Sequence, residues 1–273
     1  MNKKSVLAKF FVFLGAAITF GFLGFMILFI LVKGVPYLSP SLFEWNYTTA
    51  NVSLMPSLIT TLYVITGALL IATPIGVFTA IYLVEYADRS KMIVKLITTA
   101  TDILAAVPSI VYGLFGFLFF VLYLDLEFSL LAGILTTTIM VLPLIIRATE
   151  EALLSVGMSL REASFALGAG KLRTIFSVIL PVAIPGILSG IMLATGRIIG
   201  ESAALIYTLG SSTNLPSDLL SSGRTLSVHM YVLASEGFHV NEAYATAVVL
   251  LALVLFLNSL STILSKRLTQ KGK

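Results

Sequence analysis

Cysteine is absent from this chain of 273 residues, and charge is scarce, with 11% of residues being Asp, Glu, Lys or Arg. The first absence excludes disulfides, thiolate metal ligands and cysteine nucleophiles. The second excludes an ordinary soluble domain, in which roughly a quarter of residues are charged. The two histidines, His229 and His239, lie in a polar stretch near the C-terminus without a cluster of other metal ligands. No metal, cofactor or catalytic residue is therefore expected. What the chain has in abundance is apolar: 58% of its residues are hydrophobic and its mean hydropathy is +1.03. That composition takes a lipid bilayer as its solvent.

About 20 apolar residues span the hydrocarbon core, and segments of that length run approximately 10–32, 57–84, 93–123, 128–147, 182–207 and 241–264. The first follows Lys3, Lys4 and Lys9. It is too long for a signal-peptide core and no small-residue cleavage site follows it, so a retained helix is expected. The third opens on Thr98, Thr99, Thr101 and Asp102, which suits protein or water better than lipid; Asp102 itself reads as an interfacial residue.

Six spans place both termini on one side. Fourteen of the 17 Lys and Arg residues then fall on that side, in the two termini and in the stretches 85–97 and 147–181. Lys33 and Arg224 fall opposite, and Arg197 falls within the fifth span. The positive-inside rule makes the basic side cytoplasmic. Because the basic residues are sorted by membrane side, the net charge of +4 carries no nucleic-acid signal. On the outer side, Phe43, Trp45 and Tyr47 suit a membrane-interface belt, and 208–240, rich in Ser, Gly and Thr, reads as a flexible loop. The expected organisation is a first helix with an outer loop (1–56), a transmembrane unit (57–265) and a basic cytoplasmic tail (266–273).

The cytoplasmic stretch 148–181 is long and amphipathic. Ser159 and Glu162 have capping-box spacing, which predicts a short helix from Leu160 to Leu167 with Leu160, Ala163, Ala166 and Leu167 in one stripe. Gly168 and Gly170 stop it, and Lys171 to Ile179 resumes a helical pattern that leads through Pro181 and Pro185 into the fifth span. Such a segment is either a surface helix lying on headgroups or a docking helix gripped by a soluble partner.

Glu162, Ala163 and Ser164, then three residues, Gly168, nine residues, and Val178, Ile179, Leu180 and Pro181 together resemble the EAA loop of ABC-importer permeases. That family has Ala where Ser164 stands and Ile where Val178 stands; both substitutes are small or isosteric. Residues 107–116 (VPSIVYGLFG) and 196–204 (GRIIGESAA) look like phosphate-importer permeases, closer to the PstA type than to its PstC partner. The resemblance covers roughly residues 57–265.

It implies an all-α type I importer permease of the prokaryotic cytoplasmic membrane. A sister permease (PstC type), two ATP-binding cassette subunits and an extracytoplasmic phosphate-binding protein are the implied partners. Glu162, Ala163, Ser164, Gly168, Leu180 and Pro181 are the implied coupling residues. The chain has no ATPase site of its own: a P-loop ending at Lys171 needs Gly where Phe165 stands and Ser or Thr where Leu172 stands.

Arg197 and Glu201 lie in the fifth span, four apart and so on one helical face. One reading has Arg197 offering its guanidinium to a passing phosphate with Glu201 holding the side chain in place; the other has an internal ion pair that never meets substrate. Ser109 joins the candidate pathway by resemblance. Gly186/Gly190 and Gly196/Gly200 have small-xxx-small spacing for close helix approach. A permease for sulfate, molybdate or phosphonate keeps the same coupling loop. A secondary transporter needs no ATPase and usually shows internal repeats or a coupling-ion site; no clear repeat relates the two halves, and the EAA match counts against that class.

Overall fold

The computed structural model describes the backbone of residues 3–88 and 90–270 and the side chains of residues 9–88 and 90–263. Arg89 and the last residues of the basic tail, 271–273, lie outside the described residues, as do the side chains of Lys3, Lys4, Lys266 and Arg267. Among the described residues all regular structure is helical: α1 (Lys3–Gly34), α2 (Met55–Ile81), α3 (Met92–Ala106), α4 (Ser109–Gly116), α5 (Leu130–Leu154), α6 (Met158–Ala166), α7 (Lys171–Thr174), α8 (Leu180–Ile199), α9 (Ala203–Thr208), α10 (Leu226–Glu236) and α11 (Val240–Gln270). Wider turns extend α2 through Tyr86 and α4 through Tyr123, and join α7 to α8 across Ile175–Ile179. In lipid every backbone polar group must bond internally, and helices achieve this segment by segment.

Five stretches are long and apolar enough to cross a membrane: Lys9–Tyr37, Met55–Tyr86, Leu130–Leu154, Lys171–Ile199 and Val240–Ile263. The sequence reading of the third span as one helix needs correcting. It is a pair, Met92–Ala106 and Ser109–Tyr123, bent by 104°. Pro108 is the cause: it disfavours helical backbone at the residue before it, and Val107 is extended (ψ 130°).

The pair nonetheless crosses, as the register of its neighbours requires. Gly67 of α2 meets Ile134 of α5 and Gly76 meets Ile145, so α2 and α5 run in the same direction. The chain between them must return across the bundle. It does so from Asp102, paired with Arg147 near the inner end of α5, to Gly116, against Thr136, and then to Phe120 and Val121, clustered with Ala132. Six crossings put both termini on one side.

The fifth span also differs from its expected bounds. It starts at Lys171 and ends at Ile199, before a break at 200–202.

The centre of the fold is α5, packed between α2 and α8. Gly186 and Gly190 bring α8 against Ala152 and Ala148 of α5, so closely that an added Cβ at either glycine would collide with the facing methyl. This small-residue stripe therefore packs within the chain, whereas Gly196 has nothing within 4 Å. Thr136, Thr137 and Thr138 sit inside α5 and bond back to carbonyls four residues earlier (2.7–2.8 Å), which removes the penalty of their hydroxyls in an apolar interior. In contrast, the hydrophobic stretch of α1 is wholly unburied, apolar on every side, and meets α11 at its outer end, where Gly34 abuts Tyr244.

The outer segment 208–240 is not a loose loop. The Leu130 and Leu131 amides at the start of α5 donate to the Ser221 and Leu219 carbonyls and pin its chain to the bundle. It also contains α10, capped by the Thr225 hydroxyl. His229, read from sequence as lying in a polar stretch, is fully buried.

Candidate functional site

At the inner end, α6 begins at Met158 with Gly157 as its cap and no side-chain capping bond. The capping-box reading is thus corrected: Ser159 lies inside the first turn, where its hydroxyl is past the position that caps. The C-terminal stop is where glycine chemistry puts it. Gly168 has φ +81°, a left-handed conformation that costs other residues roughly 1–2 kcal/mol, and its amide donates to the Phe165 carbonyl at 2.9 Å.

The predicted stripe on α6 faces away from the rest of the chain. Leu160 is 43% and Leu167 89% exposed, flanked by exposed Met158 and Phe165, and Glu162 and Ala163 are exposed as well. Ser164 beside them is buried, and its hydroxyl shares a 2.8 Å hydrogen bond with that of Thr174. Leu180 packs beneath, against a cluster that includes Ile175 and Ile179, while Pro181 occupies the exposed first turn of α8.

Two residues that the sequence reading passed over hold this helix in place. The Arg161 guanidinium donates to the Glu85 carboxylate, Nη2 at 3.0 Å and Nε at 3.3 Å. It also donates to the carbonyls of Val156 (2.5 Å) and Leu153 (2.9 Å). Glu85 lies in the wide turn at the inner end of α2, 76 residues away, so no local pattern could have linked the two. The available signal was a lone carboxylate closing an apolar span. Beside it, the Lys171 ammonium lies 4.6 Å from the centre of the Tyr86 ring.

Deeper in the bundle, the fifth helix does not continue through both Arg197 and Glu201. Arg197 is in the last turn of α8, half-buried and without a hydrogen-bond or ion-pair partner among the described residues. Glu201 lies past the helix end, in the break. Its carboxylate accepts from the Ala204 amide at 3.0 Å and so caps α9, while its carbonyl accepts from the Ser227 hydroxyl. Glu201 is 7% exposed, and its carboxylate anchors the turn rather than holding Arg197.

Ser109 heads α4. Gly113 packs on Ala204 and Gly116 on Thr208, so α4 and α9 run side by side. Asp102, expected at the interface, is half-exposed and accepts from Arg147 near the inner end of α5.

At the outer end, Arg224 is 4% exposed and stacks over the Tyr47 ring at 4.8 Å, with Nε and Nη2 unpartnered. The His229 ring meets the same tyrosine edge-on at 6.3 Å. Tyr47 is thereby drawn out of the expected interface belt, in which Phe43 and Trp45 remain exposed.

A family model described as "Binding-protein-dependent transport system inner membrane component" matches residues 72–271. A "Probable ABC transporter permease protein YqgI" of Bacillus subtilis is 33% identical over 88% of this chain and 89% of its own length. A "Phosphate transport system permease protein PstA" of Haemophilus influenzae is 35% identical over 85% of this chain and 83% of its own. The chain spans only 39% of the longer relative from Mycoplasma pneumoniae and 49% of that from Mycobacterium leprae. Among solved structures, the MetNI methionine ABC transporter in an inward-facing conformation aligns with TM-score 0.61 at 21% identity, over 79% of this chain and 94% of that one.

Proposed function

Because the chain belongs to the binding-protein-dependent transport system inner membrane component family, whose ATP hydrolysis resides in separate subunits, we propose that it carries inorganic phosphate into the cytoplasm. The family supplies the coarse assembly: ATPase subunits on the inner side and a substrate-binding protein on the outer side. The finer reading adds a sister permease of the PstC type and a binding protein for phosphate. Residues 57–265 form the permease unit in this reading.

The observation that carries the substrate is Arg197. An arginine within a span costs a few kcal/mol and normally faces a bundle interior, an aqueous path or a partner charge. Here it has no partner among the described residues, and Glu201, the carboxylate that could neutralise it, is engaged at the start of α9. A free planar fork suits two phosphate oxygens, and a single fork without further donors binds weakly enough to release the ion. The relatives named for phosphate transport support the same cargo. Ser109, at the start of α4, stays with the candidate path by resemblance.

On the inner side, the exposed apolar face of α6 is the docking surface for an ATPase cleft. Glu162, Ala163 and Gly168 line it, Ser164 ties it to α7, and Leu180 and Pro181 connect it to α8.

The test is uptake of labelled phosphate at low external concentration by cells lacking the chain, restored with wild type or Arg197→Ala. Deletion should abolish high-affinity uptake, wild type should restore it, and the variant should lose about tenfold or more while assembling normally. Full uptake by Arg197→Ala would remove the arginine from the path. Loss of sulfate or molybdate uptake in place of phosphate would reassign the cargo.

A further inference from the structure

The coupling helix α6 has two inward attachments of different reach. Ser164 joins Thr174, ten residues on, and so holds α6 to α7 and to the continuous Lys171–Ile199 span. Arg161 reaches across the fold. Its side chain is 13% exposed and that of Glu85 9%, and the one guanidinium gathers three elements: α6, which bears it, the inner end of α2 through Glu85, and the end of α5 through the Leu153 and Val156 carbonyls. Those two helices, with α8, are the packed centre of the bundle.

We propose that the Arg161–Glu85 pair is the linkage through which movement of α6 reaches α2, making both residues positioning residues for transport; α5 is already joined to α6 through residues 155–157. The inference rests on reading α6 as the helix an ATPase grips. A force on the exposed face of α6 passes along the chain itself, through residues 155–157 to α5 and residues 167–170 to the fifth span, regardless of Arg161. Without the ion pair, α6 has no comparable polar bond to α2 among the described residues. Hydrolysis would then continue below the membrane while the bundle answers incompletely: α5 and α8 move and α2 lags. Shielding from water makes the link stiff, since a surface pair at this place would be screened and free to exchange for water.

The experiment uses the complete transporter in proteoliposomes, with its ATPase subunits, sister permease and binding protein, and measures ATP hydrolysis and phosphate uptake on the same preparation. Glu85→Gln keeps the shape and an acceptor oxygen but removes the charge. Arg161→Met keeps much of the length and removes both the charge and the donors. Each should retain hydrolysis within about twofold and lose uptake about fivefold or more, and the double variant should be no worse than the worse single, as residues acting as one unit behave. Uptake per ATP equal to wild type in both single variants would overturn the proposal. So would parallel losses of hydrolysis and uptake, which mark a purely structural pair. A wild-type complex that hydrolyses ATP without moving phosphate would sink the cargo reading instead, and the linkage would then be read with sulfate or molybdate.

Discussion

At the inner end of the bundle, α6 turns Met158, Leu160, Phe165 and Leu167 away from the chain, and its charged Arg161 inward against Glu85. At the outer end the arrangement is reversed: Arg224 and His229 are packed out of water around Tyr47. Leaving apolar side chains exposed on a short cytoplasmic helix is unfavourable for an isolated chain and favourable for one that meets a partner there. Burying a cation whose Nε and Nη2 lack partners is unfavourable too, but it fixes the closed shape of a cap built from two loops and α10. The inner end leaves apolar side chains uncovered by the chain, whereas the outer end packs even its charged and titratable groups beneath its own loops.

The strongest way to break this contrast is at Leu167, the most exposed apolar residue beside α6 at 89%. Leu167→Asp should abolish co-purification of the ATPase subunits and lower uptake about tenfold or more, while the thermal stability of the chain itself stays near wild type. Undiminished co-purification would return α6 to the headgroups.

A middle-sized effect is expected at the outer end. Burial disfavours the His229 cation and Arg224 repels it, so the ring is pushed down to about 3 from an ordinary 6.5. Below 6.5 the unfolded chain takes up a proton that the folded chain refuses, so this contribution to stability is intact above 6.5 and is lost as pH falls toward 3. The loss approaches about 1.4 kcal/mol per pH unit. Unfolding of the detergent-solubilised protein between about pH 7.5 and 4.5 should show a shallower slope for His229→Gln than for wild type; equal slopes would mean that the ring is wetted and charged.

The smallest effect sharpens the inner side. Ser164→Ala removes the bond to Thr174 and should cost about 1 kcal/mol of stability, with uptake within about twofold of wild type, because the alanine still fills the buried position. A large loss of uptake would make the hydroxyl pair part of the coupling path rather than a local fastening.

The apolar runs made most of the fold legible. Spans one, two, four and six lie within a few residues of their expected ends at the membrane, apart from the inner end of α5, which continues to Leu154. The glycine stop at Gly168 was legible because positive φ is a local property of one residue type. Besides the capping box and the outer segment, two features misled. The run 93–123 is apolar enough for one helix, yet a single proline bends it by 104°. The spacing of Arg197 and Glu201 assumed a helix that ends between them at Ile199.

Composition, hydropathy and the sorting of basic residues by themselves determined that this is a six-crossing membrane protein with both ends in the cytoplasm, since the bilayer imposes those rules on any chain. The loop motif determined its family. Only the tertiary structure decided which charges meet: Asp102 with Arg147, Glu85 with Arg161, and Glu201 with an amide rather than with Arg197. The two distant pairs are chosen by helix register, and the engagement of Glu201 by where α8 ends; neither is written in a local pattern.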